Sequence, residues 1–342
     1  MADSLQHVER ELGRLRMNDD GTLGLRASVL NLIVVVGEES AEGVARSIAD
    51  LANRHPSRSI ILVSDAEGEA SLDVRLSAFC SLRGGAGDNV CSEQITVHAA
   101  GPTALHLESV AGPLLVPDLP TFVFYPEDVP DSADGVTRLA DRVILDSSSS
   151  TGVPESFRRI ARLVRDPAPP HAIDLQWTAL TPWRALTREL FSSPERAAEL
   201  PNIHEVEVMH TTGGEGRTML FAGWLASSLG WRPKENRRPV SGFVFESHSG
   251  GEIIFRTSSS TDDADLSRIT LRAGECSFVI SRHKELTEAH ISVERGGEEI
   301  ARRAVRIGRF DMGAMLGEEL KFKGRDPIYE SSLEKVMEMM ET

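Results

Sequence analysis

Cysteine is scarce in this chain of 342 residues, which has only Cys80, Cys91 and Cys276. The three lie far apart and form no Cys-x-x-Cys spacing, whereas structural zinc needs about four converging ligands, often in close pairs. The pattern therefore argues against a zinc-stabilised domain, and free, reduced thiols are expected. A redox pair between Cys80 and Cys91 stays open, on the condition that their two predicted strands are neighbours.

Basic charge and long apolar runs are also missing. The chain has 37 Lys and Arg against 52 Asp and Glu, which gives a formal net charge of −15 and a pI near 5.2. Nucleic acids and anionic membranes attract basic surfaces, so neither is an expected partner. No apolar run is long enough to cross a bilayer, and residues 1–10 are polar, unlike a signal peptide. The expected location is the cytoplasm.

The sequence lacks a phosphate-binding loop after the first strand of its βαβ unit, the position where a dinucleotide-binding fold carries one. The β-branched run Ser28–Val36, the helical pattern over residues 40–54 and the run Ser59–Val63 predict a parallel, right-handed βαβ unit. The loop after the first strand is Gly37-Glu-Glu-Ser40, which lacks the Gly-x-Gly-x-x-Gly pattern and carries two acidic side chains that repel a pyrophosphate. No dinucleotide cofactor is expected.

Hydrophobic periodicity divides the chain into two parts. Strands are predicted at 72–80, 89–98, 121–125 and 143–145, with a turn at 83–88, and helices at 4–16 and 154–165. From residue 240 onward, short alternating segments with a polar loop at 258–263 predict an antiparallel meander, followed by helices at 312–322 and 329–340. The predicted fold is an α/β domain over 1–236, with a mostly parallel sheet, an N-terminal helix and a Trp-containing helix. A second module over 237–342 combines the antiparallel β-meander with C-terminal helices.

The segment Asp174–Phe191 is the most specific stretch, since it holds two of the four tryptophans. Thr181 as a cap and Pro182 in the first turn predict a helix start. Trp183, Leu186 and Leu190 then recur at helical spacing on one face. Trp177 and Trp183 are either core residues or part of an aromatic surface offered to a partner, next to Arg184.

A second candidate surface is a stripe of arginines on the helix predicted at 154–165. Arg158, Arg162 and Arg165 follow one another at spacings of four and three residues, so they share a helix face. In so acidic a protein, this stripe could dock an acidic partner or a phosphate. The alternative is an ordinary solvated helix face.

Residues for catalysis or metal binding are few. Asp118 and Asp146 lie beside predicted strands, and Thr211–Thr218 is a glycine loop before a helix, although it contains Glu215 and lacks the Walker lysine. His204 and His210 are about 20 Å apart along one strand, so they cannot share a metal. No catalytic, cofactor-binding or metal-binding residue is assigned. The rival hypothesis places a small sugar or phosphate ligand among Asp118, Asp146 and residues 211–218.

Several stretches resemble the OpcA family, the bacterial glucose-6-phosphate dehydrogenase assembly proteins. The most specific is Asp174-Leu-Gln-Trp-Thr-Ala-Leu-Thr-Pro-Trp-Arg184. The others, in the family's order, are Ser28–Val34, His55–Ile61, Gly112–Pro120, Arg138–Ser147, Ala222–Gly230, Leu316–Leu320 and Asp326–Tyr329. The resemblance implies a protein that is not an enzyme and that binds glucose-6-phosphate dehydrogenase to promote its assembly or activity. Some cyanobacterial relatives are tied to thiol control, but the three cysteines here match no family motif.

The residues and the resemblance together give one leading hypothesis. The chain acts as an assembly factor or allosteric activator, and the segment Trp177–Trp183 with the arginine stripe forms or braces its docking surface. Two alternatives stay open. One is an enzyme or sensor for a small phosphorylated or sugar ligand, and the other is a scaffold for a different enzyme.

Overall fold

A computed structural model gives the fold of the chain. The structure describes residues 2–15, 17, 25–26, 28–52, 54–82, 89–131, 135–148, 152–165, 170–234, 241–259, 266–282, 287–308, 311–322 and 324–341. The turn predicted at 83–88 lies outside the described residues, as does most of the polar loop at 258–263.

The first sheet has eight strands in the order β1-β5-β3-β2-β6-β7-β8, with β4 added beside β5. All neighbouring pairs are parallel except β4 and β5, which form an antiparallel hairpin. The strands are β1 Leu25–Arg26, β2 Leu30–Val36, β3 Ser57–Asp65, β4 Ser71–Leu82, β5 Asn89–Ala100, β6 Thr121–Tyr125, β7 Arg142–Leu145 and β8 His171–Asp174. The helices of this part of the chain are α1 Ala2–Leu15, α2 Glu38–Leu51 and α3 Leu107–Ala111, followed by α4 Val153–Arg165.

The central strands β2 and β3 show why this sheet is parallel. Leu32, Ile33 and Val34 on β2 are buried on both sides of the sheet, as the unbroken β-branched run predicts. Helix α2 connects β2 to β3 and packs against β3. The predicted βαβ unit is therefore present, with a parallel register that runs from Leu30 opposite Ser57 to Val36 opposite Val63.

The second sheet also has eight strands, in the order β10-β11-β12-β9-β13-β14-β15-β16. Its strands are β9 Ile203–His210, β10 Arg232–Pro233, β11 Gly242–Glu246, β12 Glu252–Ser259, β13 Leu266–Ala273, β14 Cys276–Arg282, β15 Glu288–Arg295 and β16 Glu298–Arg306. The remaining helices are α5 Leu175–Ala179, α6 Thr181–Leu190, α7 Pro194–Ala197, α8 Glu215–Leu229, α9 Met312–Glu319 and α10 Pro327–Glu341. The prediction of an α/β fold with a mostly parallel first sheet and a mostly antiparallel second one is confirmed.

Strand β9 changes the predicted meander. It lies between β12 and β13, parallel to the first and antiparallel to the second. The apolar side chains of β9 are buried in this sheet, with Val206 and Val208 fully enclosed. The meander is therefore not continuous, because a strand from earlier in the chain separates its second and third strands, β12 and β13.

The chain divides into two compact units, each built from separated segments. Unit 1 comprises residues 1–150, 162–175 and 311–325, and unit 2 comprises 151–161, 176–310 and 326–342. The predicted boundary after residue 236 does not coincide with this division, because β9 and α8 belong with the second sheet. Helix α9 returns to unit 1, where it packs against α2, while α10 belongs to unit 2, where it packs against α8.

Helices α8 and α10 pack closely at a glycine. A Cβ atom on Gly223 would lie 2.4 Å from the carbonyl oxygen of Ser332 and 2.9 Å from a methyl group of Val336. The approach therefore requires glycine at this position of α8. Ser332 and Val336 are both fully buried on α10.

The cysteines differ from one another in state. The register of the β4–β5 hairpin places Cys80 directly opposite Cys91. Cys91 is disulfide-bonded and fully buried, whereas Cys276 is free and buried, and its sulfur accepts a hydrogen bond from Nε of Arg295 at 3.3 Å. The expectation of free thiols is therefore wrong for Cys91. The condition set for a Cys80–Cys91 pair, that their strands be neighbours, is met, although the side chain of Cys80 lies outside the described residues.

Candidate functional site

Trp177 on α5 is the centre of a buried cluster in unit 2. Its indole Nε1 donates a hydrogen bond of 2.9 Å to Oδ2 of Asp326. The guanidinium carbon of Arg184 lies 3.5 Å from the Trp177 ring centroid, and the ring of Tyr329 is 5.6 Å away between centroids. We call Trp177, Arg184, Asp326 and Tyr329 the Trp177 cluster. It connects helices α5, α6 and α10.

The two carboxylate oxygens of Asp326 accept hydrogen bonds from different helices. Its Oδ1 accepts hydrogen bonds of 3.0 Å from the backbone N–H groups of Ile328 and Tyr329, in the first turn of α10. A carboxylate at a helix N-terminus caps free N–H groups and meets the positive end of the helix dipole. Since Oδ2 holds the Trp177 indole, the start of α10 is fixed to α5.

Trp183 is also a core residue. It is 3% exposed on α6, and Leu186 and Leu190 lie on the same buried face. The helix begins at Thr181, and Leu180 is its N-cap residue. The prediction that Thr181 caps the helix is therefore wrong. The Thr181 hydroxyl instead accepts a hydrogen bond of 3.1 Å from Arg184. Trp177 is 1% exposed, so neither indole ring offers a surface, and any role of the two in partner binding is that of a brace.

The arginine stripe lies on the exposed side of α4. Phe157 and Ile160 face the other way and are fully buried. Glu155 accepts a hydrogen bond of 3.1 Å from Arg158 and lies 3.5 Å from Arg159, and these contacts, first that with Arg158, lower the pKa of Glu155. Arg162 and Arg165 are exposed, and within the described residues neither forms an ion pair. These two are the cations of the stripe that a partner could reach.

The acidic candidates are not brought together. Asp118 precedes β6 and Asp146 follows β7, and because these strands are parallel the two residues lie at opposite ends of the first sheet. Asp146 accepts hydrogen bonds from the backbone N–H and hydroxyl of Ser148 at 2.9 and 2.7 Å, as in an ordinary turn. The proposed combination of Asp118 and Asp146 in one site is therefore wrong.

The glycine loop before α8 already binds a carboxylate from the chain itself. The Glu215 carboxylate accepts a hydrogen bond of 2.9 Å from the backbone N–H of Gly213. Thr218 donates its hydroxyl proton to the carbonyl of Gly214 at 2.9 Å. A phosphate at this loop would compete with Glu215 for the same N–H group and would be repelled by its charge.

The N-terminus of α2 is likewise closed by a carboxylate. Oε2 of Glu127, just beyond the end of β6, accepts a hydrogen bond of 2.9 Å from the backbone N–H of Gly37. Glu38 and Glu39 fill the first turn of the helix, and Glu38 lies 3.1 Å from Nδ1 of His98. In doubly wound folds a pyrophosphate takes this position after the first strand. Glu127 already accepts the N–H group of Gly37, and the charge of the three carboxylates would repel a pyrophosphate.

Within the parts of the chain that the structure describes, no three His, Cys, Asp or Glu side chains are grouped to hold a metal ion. Among the same residues, no helix combines the length and apolar character that a bilayer crossing needs.

Two functional contacts were not anticipated from the sequence. Asp326 is the partner of Trp177, and Glu127 caps α2. An Asp directly before Pro327 is a recognisable N-cap signal that could have drawn attention to Asp326. No local signal pairs Asp326 with Trp177 or Glu127 with Gly37, because the partners are 149 and 90 residues apart.

Comparisons with known proteins cover most of the chain. A family model described as the glucose-6-phosphate dehydrogenase subunit N-terminal domain matches residues 48–162, and one described as the C-terminal domain of that subunit matches 170–333. A Synechocystis protein provisionally named OxPP cycle protein OpcA is 27% identical over 86% of this chain and 66% of its own length. A Nostoc punctiforme protein of the same provisional name is 31% identical over 56% of this chain and 42% of its own. The chain thus spans less than two thirds of the length of these relatives.

Among solved structures, the crystal structure of a 3-ketoreductase from Actinomadura kijaniata in complex with TDP-benzene and NADP is similar in fold. The TM-score is 0.52 at 12% sequence identity, and the match covers 92% of this chain and 96% of the reductase. At this identity the likeness concerns the fold alone.

Proposed function

The chain belongs to the OpcA family, and on that basis we propose that it is a non-enzymatic assembly factor that binds glucose-6-phosphate dehydrogenase and favours its active oligomer. The observation that carries this proposal is the match of both family models, which name that dehydrogenase and together extend from residue 48 to residue 333. The relatives' names associate the family with the OxPP cycle.

The carboxyl ends of the first sheet support a role without a nucleotide cofactor. The similar reductase holds NADP. In this chain the corresponding helix start is occupied by Glu127 and flanked by Glu38 and Glu39. A pyrophosphate would have to displace Glu127 from Gly37 against the charge of three carboxylates. We therefore expect no hydride transfer by this protein itself.

The mechanism of such a factor is a difference in affinity. A protein can shift its partner toward an active oligomer only by binding that form more tightly than the inactive one. The Arg162 and Arg165 side chains, exposed on α4 and without an ion pair among the described residues, suit an acidic surface on the partner. The Trp177 cluster braces α5, α6 and α10 within unit 2.

The test is a titration of glucose-6-phosphate dehydrogenase from the same organism with this protein. Enzyme activity and the mass distribution of the mixture are measured in the same samples. We expect saturable activation together with a heavier species that contains both proteins. No binding and no change in rate would refute the proposal.

A pair of matched variants tests the arginine stripe. Arg162→Glu with Arg165→Glu reverses two exposed charges on α4, and we expect it to weaken binding at least tenfold. Arg10→Glu with Arg46→Glu makes the same change in net charge at exposed positions on α1 and α2 and should bind like the wild type. If the α4 variant is folded and binds unchanged, the stripe is not the docking surface, even if activation itself is real.

The alternative of a small-ligand enzyme or sensor has its own measurement. Thermal melting of the protein alone is compared with and without glucose 6-phosphate, 6-phosphogluconate and NADP. A ligand that binds the folded state raises the melting temperature in a saturable way. We expect no such shift.

A further inference from the structure

The second sheet presents two unlike faces. On one, apolar side chains such as Val206, Leu271 and Phe278 are fully buried, and Phe278 meets Phe191 with 4.3 Å between ring centroids. The register places Glu207, Thr270, Val279 and Ser292 in one row across β9, β13, β14 and β15, on the opposite face. We call this opposite face the open face.

The open face is charged but balanced. At its centre the ionic residues are Glu205, Glu207, Arg256, Arg268, Arg272 and Glu294, three of each sign. Toward the edges the same face also carries Glu246, Glu252, Glu288, Glu299, Arg302 and Arg306. The whole chain, by contrast, has a net charge of −15. The centre of the open face is thus a neutral area on a strongly acidic protein.

Most of these charges are already paired along the sheet. Glu205 receives Nε of Arg256 at 2.6 Å and Nη1 of Arg272 at 3.0 Å, and Nη2 of Arg272 lies 3.3 Å from Glu207. Partial burial raises the pKa of Glu205, but the contacts with Arg256 and Arg272 outweigh it, so that pKa lies below its usual range. The four side chains still keep between 22% and 51% of their area exposed.

A shallow groove runs through the middle of the open face. Its volume is about 270 Å³, and Glu207, Met209, Arg268 and Glu294 are among its lining residues. Thr270 and Val279 form its floor and are 5% and 4% exposed. The groove therefore offers a concave surface with a floor of Thr270 and Val279 and a rim of charged side chains.

The balance of charge identifies the occupant. A partner of one predominant sign would gain little from a face whose charges cancel and are already paired. A twofold interface, however, places the same patch on both sides, so it requires a patch that complements itself. Two acidic chains repel each other over most of their surfaces, and a neutral face is where they can meet.

The dimensions of the open face are also suitable. Seven strands from β11 to β16, with β9 among them, span about 29 Å at a spacing of about 4.8 Å, and six residues along each strand add about 20 Å. The flat area is about 600 Å², of the same order as the ~800 Å² per partner of a standard interface.

We propose that the open face is the contact surface of a homodimer, in which two copies of this chain pack these sheet faces together about a twofold axis. The proposal goes beyond the binding of the dehydrogenase and does not rest on it. Sheets that pack in this way interdigitate their side chains at about 10 Å separation.

Sedimentation velocity of the purified protein alone tests the proposal. The chain has a mass of 37.3 kDa, and we expect a species of twice that mass at micromolar concentration. The variant Ser277→Arg with Ser292→Arg places new positive charge on the open face of both copies, at half-exposed serines. We expect it to weaken dimerisation by at least a hundredfold while the melting temperature stays near that of the wild type.

Ser249→Arg, at an exposed turn between β11 and β12, is the control for an added arginine and should remain dimeric. A wild-type monomer at all accessible concentrations would overturn the proposal. So would a dimer that the folded double variant leaves intact. If the wild type is monomeric and the double variant instead loses binding to glucose-6-phosphate dehydrogenase, the open face belongs to that partner and the homodimer is refuted.

Discussion

At the scale of single residues, the contact between Trp177 and Asp326 illustrates how one polar bond can organise a core. The indole N–H of a buried tryptophan needs an acceptor, and a carboxylate is a strong one. Oδ1 of Asp326 accepts the N–H groups in the first turn of α10, and this positions Oδ2 to accept the indole N–H. The bond therefore fixes the position of a whole helix as well as the orientation of a ring.

This contact leads to a prediction about stability. Trp177→Phe removes the donor and leaves Oδ2 of Asp326 without the indole, so we expect a loss of about 3 kcal/mol in the free energy of unfolding, from the lost charged hydrogen bond and the smaller ring. Trp183→Phe removes a similar volume from a residue that is also buried, and we expect a loss of about 1 to 2 kcal/mol.

Urea unfolding of both variants measures the difference. A double-mutant cycle with Asp326→Asn isolates the interaction of Trp177 with the carboxylate, since the two residues are in direct contact. Equal losses for Trp177→Phe and Trp183→Phe, with no coupling to Asp326, would show that the hydrogen bond contributes nothing beyond ring volume.

At the scale of elements, the β4–β5 hairpin combines an exposed strand with a buried disulfide-bonded residue. Much of β4 is exposed, with Leu72 and Val74 at 52% and 39%, whereas Cys91 on β5 is fully buried. Among the strands that the structure describes, β4 pairs with β5 only, so it is attached to the sheet from one side. The register places Cys80 opposite the disulfide-bonded Cys91, so a covalent link between the two strands would limit the opening of β4, which has little burial to hold it.

A thiol titration tests this state of the hairpin. In denaturant without reductant we expect one reactive thiol per chain, that of Cys276, and after reduction we expect all three. Cys276→Ser should remove the single thiol, and Cys91→Ser should raise the number without reductant to two. Reduction should lower the free energy of unfolding by about 2 to 4 kcal/mol. Three thiols in the unreduced protein would contradict the disulfide.

The elements also show what a sequence can and cannot reveal. The unbroken run of β2 and the alternation along β14 and β15 predict these strands correctly, because burial on one or both faces imposes its pattern locally. The place of β9 inside the second sheet is not predictable in this way, since its pattern is the same whichever strands flank it. Strand β8 is not predictable either, because His171–Asp174 is too short to show a period.

The same limit applies to the candidate site. The helical spacing on α4 correctly predicts the exposure of Arg158, Arg162 and Arg165, which the pattern determines directly. Whether Trp177 is core or surface depends on Asp326 and Tyr329, which come from a distant part of the chain. Charge pairing on the open face depends on the strand order. The ion pairs of Glu205 with Arg256 and Arg272 are therefore not predictable from the sequence.

At the scale of the whole molecule, the two units are interwoven along the chain. A fragment of residues 1–236 lacks Asp311–Arg325 of unit 1 and the neighbours of β9 in unit 2. In unit 1, Arg142 is 4% exposed and pairs with Glu319 at 2.5 Å, and it also donates a hydrogen bond to the carbonyl of Gly324. Losing both partners of a buried arginine costs about 3 to 5 kcal/mol.

We therefore expect the fragment 1–236 to lack a cooperative unfolding transition when it is produced alone. Circular dichroism during urea titration measures this, with the full chain as reference. Adding residues 237–342 as a second fragment should restore part of the transition, because it supplies Glu319 and the missing strands. A sharp, native-like transition in the isolated fragment would show that the predicted boundary after residue 236 is an independent folding boundary after all.

The discontinuous units also determine the order in which the protein can mature. A ribosome delivers Arg142 and the whole first sheet well before it delivers Glu319, and it delivers Trp177 long before Asp326. Until then the guanidinium and the indole N–H must remain in contact with water, and both units stay open. Folding of each unit is therefore completed only after most of the chain has been synthesised, when helices α9 and α10 pack against elements made much earlier.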